Sequence, residues 1–395
     1  MRVTNSSTYR NYTTSLNSVH LKLNKSMTKI SSGAAYETAA DAPLAYYTGK
    51  KIDNQYLDTL AKNTLITDIK NRLYQQELGV RDIQSTLSQA KKQVIYAKTA
   101  TTTGDKDIQT LQEDLVQKAR TMVNDLNTQY QDFYVYGGND VSVTPFALDI
   151  NDSSMTLTFN HTFPGDDAAT EFKFKYEYDD TAGDFQFKLE SVKDPQGNVT
   201  NPPDDVAQNK LVQAMSEQGK VDIGYGSIND RDTLLDTYTG GMNVLSGLNS
   251  DAVRAINAAD PNTPKDAAFK AIMNGLNESP VALTGKAALS IGEYIRTKDK
   301  DLLDDRLADT IDRMTVTEHT VSTFYSDLGN KSQQLDQTAK RLDTIEDSLT
   351  EQYKDTLGAD PYASIMEMFN NQYSYNAALQ VGSKLMNTSL FDFVR

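Results

Sequence analysis

The residues able to do chemistry are few and scattered. The three histidines, His20, His161 and His319, fall on an expected helix, an expected strand and another expected helix. Each reads as a surface or packing residue rather than a ligand or a base. No H-E-x-x-H, G-x-S-x-G or phosphate-binding glycine loop with its lysine occurs. Asp179, Asp180 and Asp184 crowd one turn, where the chemistry would be calcium binding, but the glycine and terminal glutamate of an EF-hand loop are missing. They read as an acidic hairpin turn. Gly240-Gly241 ahead of Met242 reads as a turn, because no strand, glycine loop and helix surround it. The chain has no cysteine, which removes disulfides, thiolate metal sites and thiol nucleophiles together. We therefore expect no catalytic set, no metal and no cofactor, and a protein that is not an enzyme. The 21 tyrosines at helical spacing read as packing and interface residues.

The 395 residues are 38% hydrophobic, enough for two or three domains with real cores. A net charge of −15 and a pI near 4.7 argue against nucleic acid as a partner, since phosphates need clustered Lys and Arg. The first 42 residues are the exception, carrying Arg2, Arg10, Lys22, Lys25 and Lys29 against Glu37 and Asp41. No apolar run approaches the roughly 20 residues needed to span a bilayer. The first 18 residues lack an apolar core and a small-residue cleavage site, so no cleaved signal peptide is expected. On composition the chain either stays in the cytoplasm or leaves by a route that needs no such signal.

The strongest regularity is heptad spacing. Ile66, Ile69, Leu73, Gln76, Val80, Ile83, Leu87, Ala90, Val94 and Ala97 follow in steps of three or four, with one polar member. This pattern predicts a seam of coiled-coil type on a helix from about Leu44 to Thr102, about 85 Å long. Gly104 is the expected stop and Asp105 the cap of a second segment of helix through Ile108, Leu111, Leu115, Ala119, Met122, Leu126, Tyr130 and Phe133. So short a break implies an antiparallel hairpin. A matching ladder runs through Met314, Thr317, Val321, Phe324, Leu328, Lys331, Leu335, Thr338, Leu342, Ile345 and Leu349, until Gly358 to Pro361 ends it. Neither ladder can bury its seam alone, so the two must pack together.

Between them, residues 155–159, 171–178 and 184–189 alternate apolar and polar at period two and read as strands with one buried face, the second and third joined by a hairpin loop. Further turns fall at PQGN and NPPDD, and short helices follow Asp232. The expected fold is mainly α with a mixed α+β insert, the long antiparallel helices coming from both ends of the chain. Three domains are expected: 1–42 with 358–395, a terminal helical assembly domain; 43–140 with 298–357, a long-helix rod; and 141–297, a β-containing outer insert. The rod core is assigned to Ile66, Ile69, Leu73, Val80, Ile83, Leu87, Val94, Val321, Phe324, Leu328, Leu335, Leu342, Ile345 and Leu349.

The outermost segments are thinner. Leu16, Val19, Leu23, Met27 and Ile30 form one sparse stripe; Ile365, Phe369, Leu379, Met386 and Leu390 form another, which closes on Phe391 and Phe393. Helices with so little apolar surface are marginal alone. Such helices are expected to order on assembly, with these residues as the assembly interface; the alternative is that they pair within one subunit and are stable there. Gly33 suits a helix end with positive φ, Asp41 is the expected cap of the next helix and Pro43 sits in its first turn, which makes 33–43 a linker or hinge.

The opening MRVTNSSTYRNY, Ile30-Ser-Ser-Gly33, Ala39-Ala-Asp-Ala-Pro43, Phe133-Tyr-Val-Tyr-Gly-Gly138 with Pro145-Phe146, and the closing Ser389-Leu-Phe-Asp-Phe-Val-Arg395 together resemble the flagellin superfamily. Within it they look most like the hook–filament junction proteins (hook-associated protein 3). The resemblance covers about residues 1–146 and 300–395. It implies a structural subunit whose paired terminal helices form inner tube layers, with copies of itself, the first hook-associated protein and flagellin as partners. It also implies type III export to the cell exterior and an export chaperone at the C-terminal helix. Flagellin itself is the alternative within the same class. A surface adhesin using the insert as its binding module is the alternative from another class.

Overall fold

The computed structural model describes residues 5–36, 38–99, 105–217, 219–223, 234–237, 239–259 and 264–391. In chain order the elements are helices α1 (Asn5–Ser32), α2 (Pro43–Thr99) and α3 (Asp105–Leu126); strands β1 (Gln129–Tyr130), β2 (Phe133–Tyr134), β3 (Phe146–Ile150), β4 (Met155–His161), β5 (Thr170–Asp179), β6 (Asp184–Lys193) and β7 (Val199–Thr200); helix α4 (Asp205–Ser216); strands β8 (Lys220–Asp222) and β9 (Leu234–Asp236); and helices α5 (Gly241–Ser246), α6 (Ser250–Ala259), α7 (Pro264–Asn277), α8 (Pro280–Thr297), α9 (Lys300–Leu357) and α10 (Pro361–Phe391). The fold is mainly α with a β-containing insert, as the patterning predicts. The expected stop at Gly104 lies outside the described residues. The chain divides into two compact units, residues 1–65 with 339–395 and residues 66–338.

In the first unit, α1 pairs with α10, and the first part of α2 runs antiparallel to the last part of α9. Tyr56 Oη donates to Glu346 Oε1 (3.2 Å) and Asn63 Nδ2 to Asp343 Oδ1 (2.7 Å). Ile52, Leu342, Leu349 and Leu357 are buried there, and Ile345 is half-buried. Gly33 ends α1 at φ +70°, the left-handed region where a residue without Cβ costs least. The chain around it is tied to the turn after α9: Ala35 N–H donates to Leu357 C=O (2.6 Å) and Ala359 N–H to Gly33 C=O (2.8 Å). Pro43 opens α2, where the missing N–H costs nothing.

Asp41 is not the cap of α2. Its carboxylate accepts from Thr38 N–H (3.3 Å) and Thr38 Oγ1 (3.0 Å) and pairs with Lys25 of α1. The local turn and the lysine together claim both oxygens, and the first helical bond of α2 runs from Tyr46 N–H to the Ala42 carbonyl (2.9 Å). The start of α10 does have an acidic cap: Asp360 Oδ1 accepts from the N–H groups of Tyr362 (2.8 Å) and Ala363 (3.2 Å), with Pro361 at the first helical position.

In the second unit the heptad positions of α2 from Ile66 to Val94 are buried, and so are Met314, Val321, Phe324, Leu328 and Leu335 of α9. The two helices run antiparallel, joined by the ion pairs Lys70–Asp336 and Lys91–Glu318 (2.8 Å). Gln76, the polar member of the α2 ladder, is fully buried and donates to the carbonyls of Val135 (2.8 Å) and Thr239 (3.2 Å). Helix α3 runs back along α2, with Lys118 Nζ donating to Gln89 Oε1 (3.3 Å), and packs mainly on α8.

The insert carries an antiparallel five-stranded sheet in the order β3-β4-β5-β6-β7. Met155, Leu157, Phe159, Phe172, Phe174, Tyr176, Phe185 and Phe187 fill its buried face, and the Phe146, Phe159 and Phe172 rings stack at 5.3 and 5.9 Å. The three expected strands are present, and each extends beyond its expected span. A bulge between Lys173 and Phe174 shifts the register, so β6 continues past Leu189 to Lys193 and buries Val192. Asp179 pairs with Asp184 across the predicted hairpin. Strand β3 and helix α4, capped by Asp204, were not expected from the sequence.

Candidate assembly surface

Helices α1 and α10 lie antiparallel, and their seam is made of small and polar residues. Ser26 is fully buried and Ser364 nearly so. Asn371 Nδ2 donates to Ser26 Oγ (2.7 Å) and to the Lys22 carbonyl (3.3 Å). Lys29 pairs with Glu367 (3.1 Å), and the His20 and Tyr375 rings lie 5.5 Å apart. Gly382 faces Tyr12 so closely that a Cβ there would fall 2.0 Å from the phenolic oxygen. Small residues let the backbones approach, and the satisfied serine and asparagine make a buried polar seam tolerable.

With the seam filled this way, the large apolar side chains face outward. On α10, Tyr362, Met366, Phe369 and Tyr373 follow at steps of four, three and four on one helical face and are 84%, 61%, 56% and 77% exposed. Ile365, Leu379 and Val381 are exposed as well, as are Leu21, Met27 and Ile30 on α1. Of the other expected interface residues, Leu16, Val19 and Leu23 are half-buried; Met386, Leu390 and Phe391 lie on α10; and Phe393 lies outside the described residues. Tyr362, Met366, Tyr373, Leu21 and Val381 are members of the surface that the sequence reading missed. The 362/366/369/373 spacing carries the signal for Tyr362, Met366 and Tyr373; Leu21 and Val381 lie outside it. A contiguous exposed apolar face of this kind marks an interaction surface.

The groups with chemical capacity elsewhere are engaged in structure. Asp184 bridges Lys286 of α8 (2.7 Å) and Arg313 of α9 (2.7 Å); Lys286 also meets Asp309 (2.6 Å), and Arg313 also meets Glu278 (2.9 Å). Burial alone would raise the Asp184 pKa, but hydrogen bonds and charge from Lys286 and Arg313 hold it below the usual carboxylate range. Asp179 pairs with Lys188 (2.8 Å). His161 is buried between Phe159 and Phe163, and burial lowers its pKa against the pull of Glu217 and Asp140. Among the described residues no group of three acidic, histidine or cysteine side chains is placed to hold a metal ion, and no helix is long and apolar enough to cross a membrane.

No protein-family model matches the chain, and no curated protein matches it. Among solved structures it is similar to a Vibrio parahaemolyticus chain described as a flagellar hook-associated protein, at 10% identity and a TM-score of 0.48, over 80% of this chain and 100% of that one. It is also similar to Bacillus cereus FlgL, at 12% identity and a TM-score of 0.34, over 81% of this chain and 100% of that one.

The same unit also exposes Leu44 and Tyr47 at the start of α2 and Tyr353 on α9, so outward apolar side chains occur on all four of its helices.

Proposed function

We propose that this chain is a structural, non-catalytic subunit of the bacterial flagellum that joins the hook-associated region to the flagellin filament. The observation that carries the reading is the antiparallel α1–α10 pair, closed by Ser26, Ser364, Asn371 and Gly382, with Tyr362, Met366, Phe369 and Tyr373 turned outward. A helix pair that spends its small residues on itself and exposes its large ones is built to be covered by neighbours. Of the segments that resemble the junction proteins, Ile30 to Gly33 ends α1 and residues 39–43 lead into α2, in the same unit as this pair. In this reading copies of the chain form a ring or helical layer, with the first hook-associated protein on one side and flagellin on the other. The subunit reaches the exterior by type III export, uncleaved, with a chaperone holding the C-terminal helix until assembly. The three-part division into terminal assembly domain, rod and outer insert belongs to the same proposal.

Deleting the gene tests this. Hooks without filaments, with flagellin released into the medium, are the expected result. Filaments on normal hooks contradict it, and loss of flagellin from both filament and medium points to flagellin itself.

A further inference from the structure

Away from the apolar surface, the second unit carries a polar groove of about 690 Å³ between α2 and α9. Its α2 wall presents Arg81, Ser85, Ser88 and Lys92, and its α9 wall presents Glu318 and His319. Glu318 is already neutralised by Lys91 (2.8 Å), which leaves Arg81 and Lys92 as exposed cations with no ion pair of their own among the described residues. They stand 11 residues apart, close to three full turns, so they share one helical face at a separation of about 16 Å. Tyr74 and Ile95, both exposed, bracket them on that face.

The first part of α9 carries the complement. Asp301, Asp305 and Asp312 are exposed and make no ion pair among the described residues, whereas their neighbours Asp304 and Asp309 are held by Lys300 and Lys286. Asp301 and Asp312 are also 11 residues apart, so they too share a face at about 16 Å, and the exposed Val316 continues the same ridge. On a chain of net charge −15, a cationic groove is the exception and an acidic ridge of matching pitch the natural occupant.

We propose that the groove of one copy receives the Asp301–Asp312 ridge of a second copy, a lateral ionic contact that rests on the self-assembly reading above. Groove and ridge are different patches, so the contact is heterologous. Each docked subunit still offers one free groove and one free ridge, and association propagates instead of closing as a two-fold dimer. The pairs are exposed, so the contact is weak singly and screened by salt, while association through the apolar face does not weaken with salt.

The test uses the full chain carrying Phe369→Asp, which disables the apolar face, in sedimentation velocity at 0.05 and 0.5 M salt. Self-association is expected to weaken about tenfold at the higher salt. Arg81→Glu/Lys92→Glu and Asp301→Lys/Asp312→Lys are each expected to remain monomeric with unchanged circular dichroism, and an equimolar mixture of the two to associate again, because the swapped charges recreate the pairing. A parent chain that is monomeric at 0.05 M salt, charge variants that associate as the parent does, or a mixture no larger than its components overturns the proposal. The gene deletion reads out independently of all three, so either reading can fail alone.

Discussion

Asn371 on α10 donates a 2.7 Å hydrogen bond to the hydroxyl of Ser26 on α1, and that serine is fully buried. The contact joins the first and last helices of the described chain through two short polar side chains at a buried point of their seam. It explains why the seam needs little apolar surface, and why the apolar side chains remain available on the outside.

Substituting at that contact loosens the pair. Asn371→Ala removes the hydrogen bonds to Ser26 Oγ and to the Lys22 carbonyl, while the Ser26 hydroxyl keeps its own donation to the Lys22 carbonyl (2.6 Å), at a cost of about 1 kcal/mol. Ser26→Leu overpacks a site with no free volume, at about 1–3 kcal/mol. Hydrogen exchange of α1 and α10 amides is expected to accelerate in both variants, more in Ser26→Leu, with the α2–α9 core of residues 66–338 unchanged.

Lys286 is nearly fully buried between Asp184 and Asp309. Lys286→Ala leaves two carboxylates near each other with Arg313 alone to offset them, and is expected to destabilise by about 3 kcal/mol in urea unfolding. The acid dependence has a definite sign. The folded Asp184 pKa is depressed, so its contribution is complete above the ordinary carboxylate pKa and is lost as pH falls through the lower folded value. Asp184→Asn is therefore expected to destabilise at pH 7 and to narrow its gap to the parent as the pH is lowered below about 4.

Asp125 behaves in the opposite sense. Desolvation on α3, with repulsion from Asp82, pushes its pKa up to about 6. The unfolded chain binds fewer protons than the folded one between about pH 4 and 6, so stability falls as pH rises through that window. Asp125→Asn removes this penalty. It is expected to raise stability at pH 7 by about 1 kcal/mol, allowing for solvent screening of a partly exposed group, and to have little effect at pH 4.

Much of this architecture was legible because it rests on periodicity. Ile66, Ile69, Leu73, Val80, Ile83, Leu87 and Val94 announce a buried helical face by spacing alone, and the Phe172–Phe174–Tyr176 alternation announces a half-buried strand. What stayed hidden depends on partners distant in sequence. Helix α8 is buried on nearly every side from Pro280 to Gly292, so that stretch has no polar face, and its one charge, Lys286, makes sense only once Asp184 and Asp309 are beside it. Strand β3 is five residues long and is defined by its pairing with β4. The Asp41 cap was misread because Lys25 and Thr38 compete for the same carboxylate. On α1 and α10 the seam residues Ser26, Ser364, Asn371 and Gly382 carry no hydrophobic signal, and an apolar stripe does not reveal whether it faces inward or outward.

The central claim is that the outward face of α10 is where neighbouring subunits attach. The most direct measurement introduces Met366→Asp and Phe369→Asp together into the full chain, expresses it in a strain lacking the gene, and counts filaments by electron microscopy alongside the subunit released into the medium. Both side chains are exposed, so the subunit is expected to fold as before, be exported, and accumulate in the medium while hooks stay bare. Filaments at the number and length restored by the unaltered chain would contradict the account.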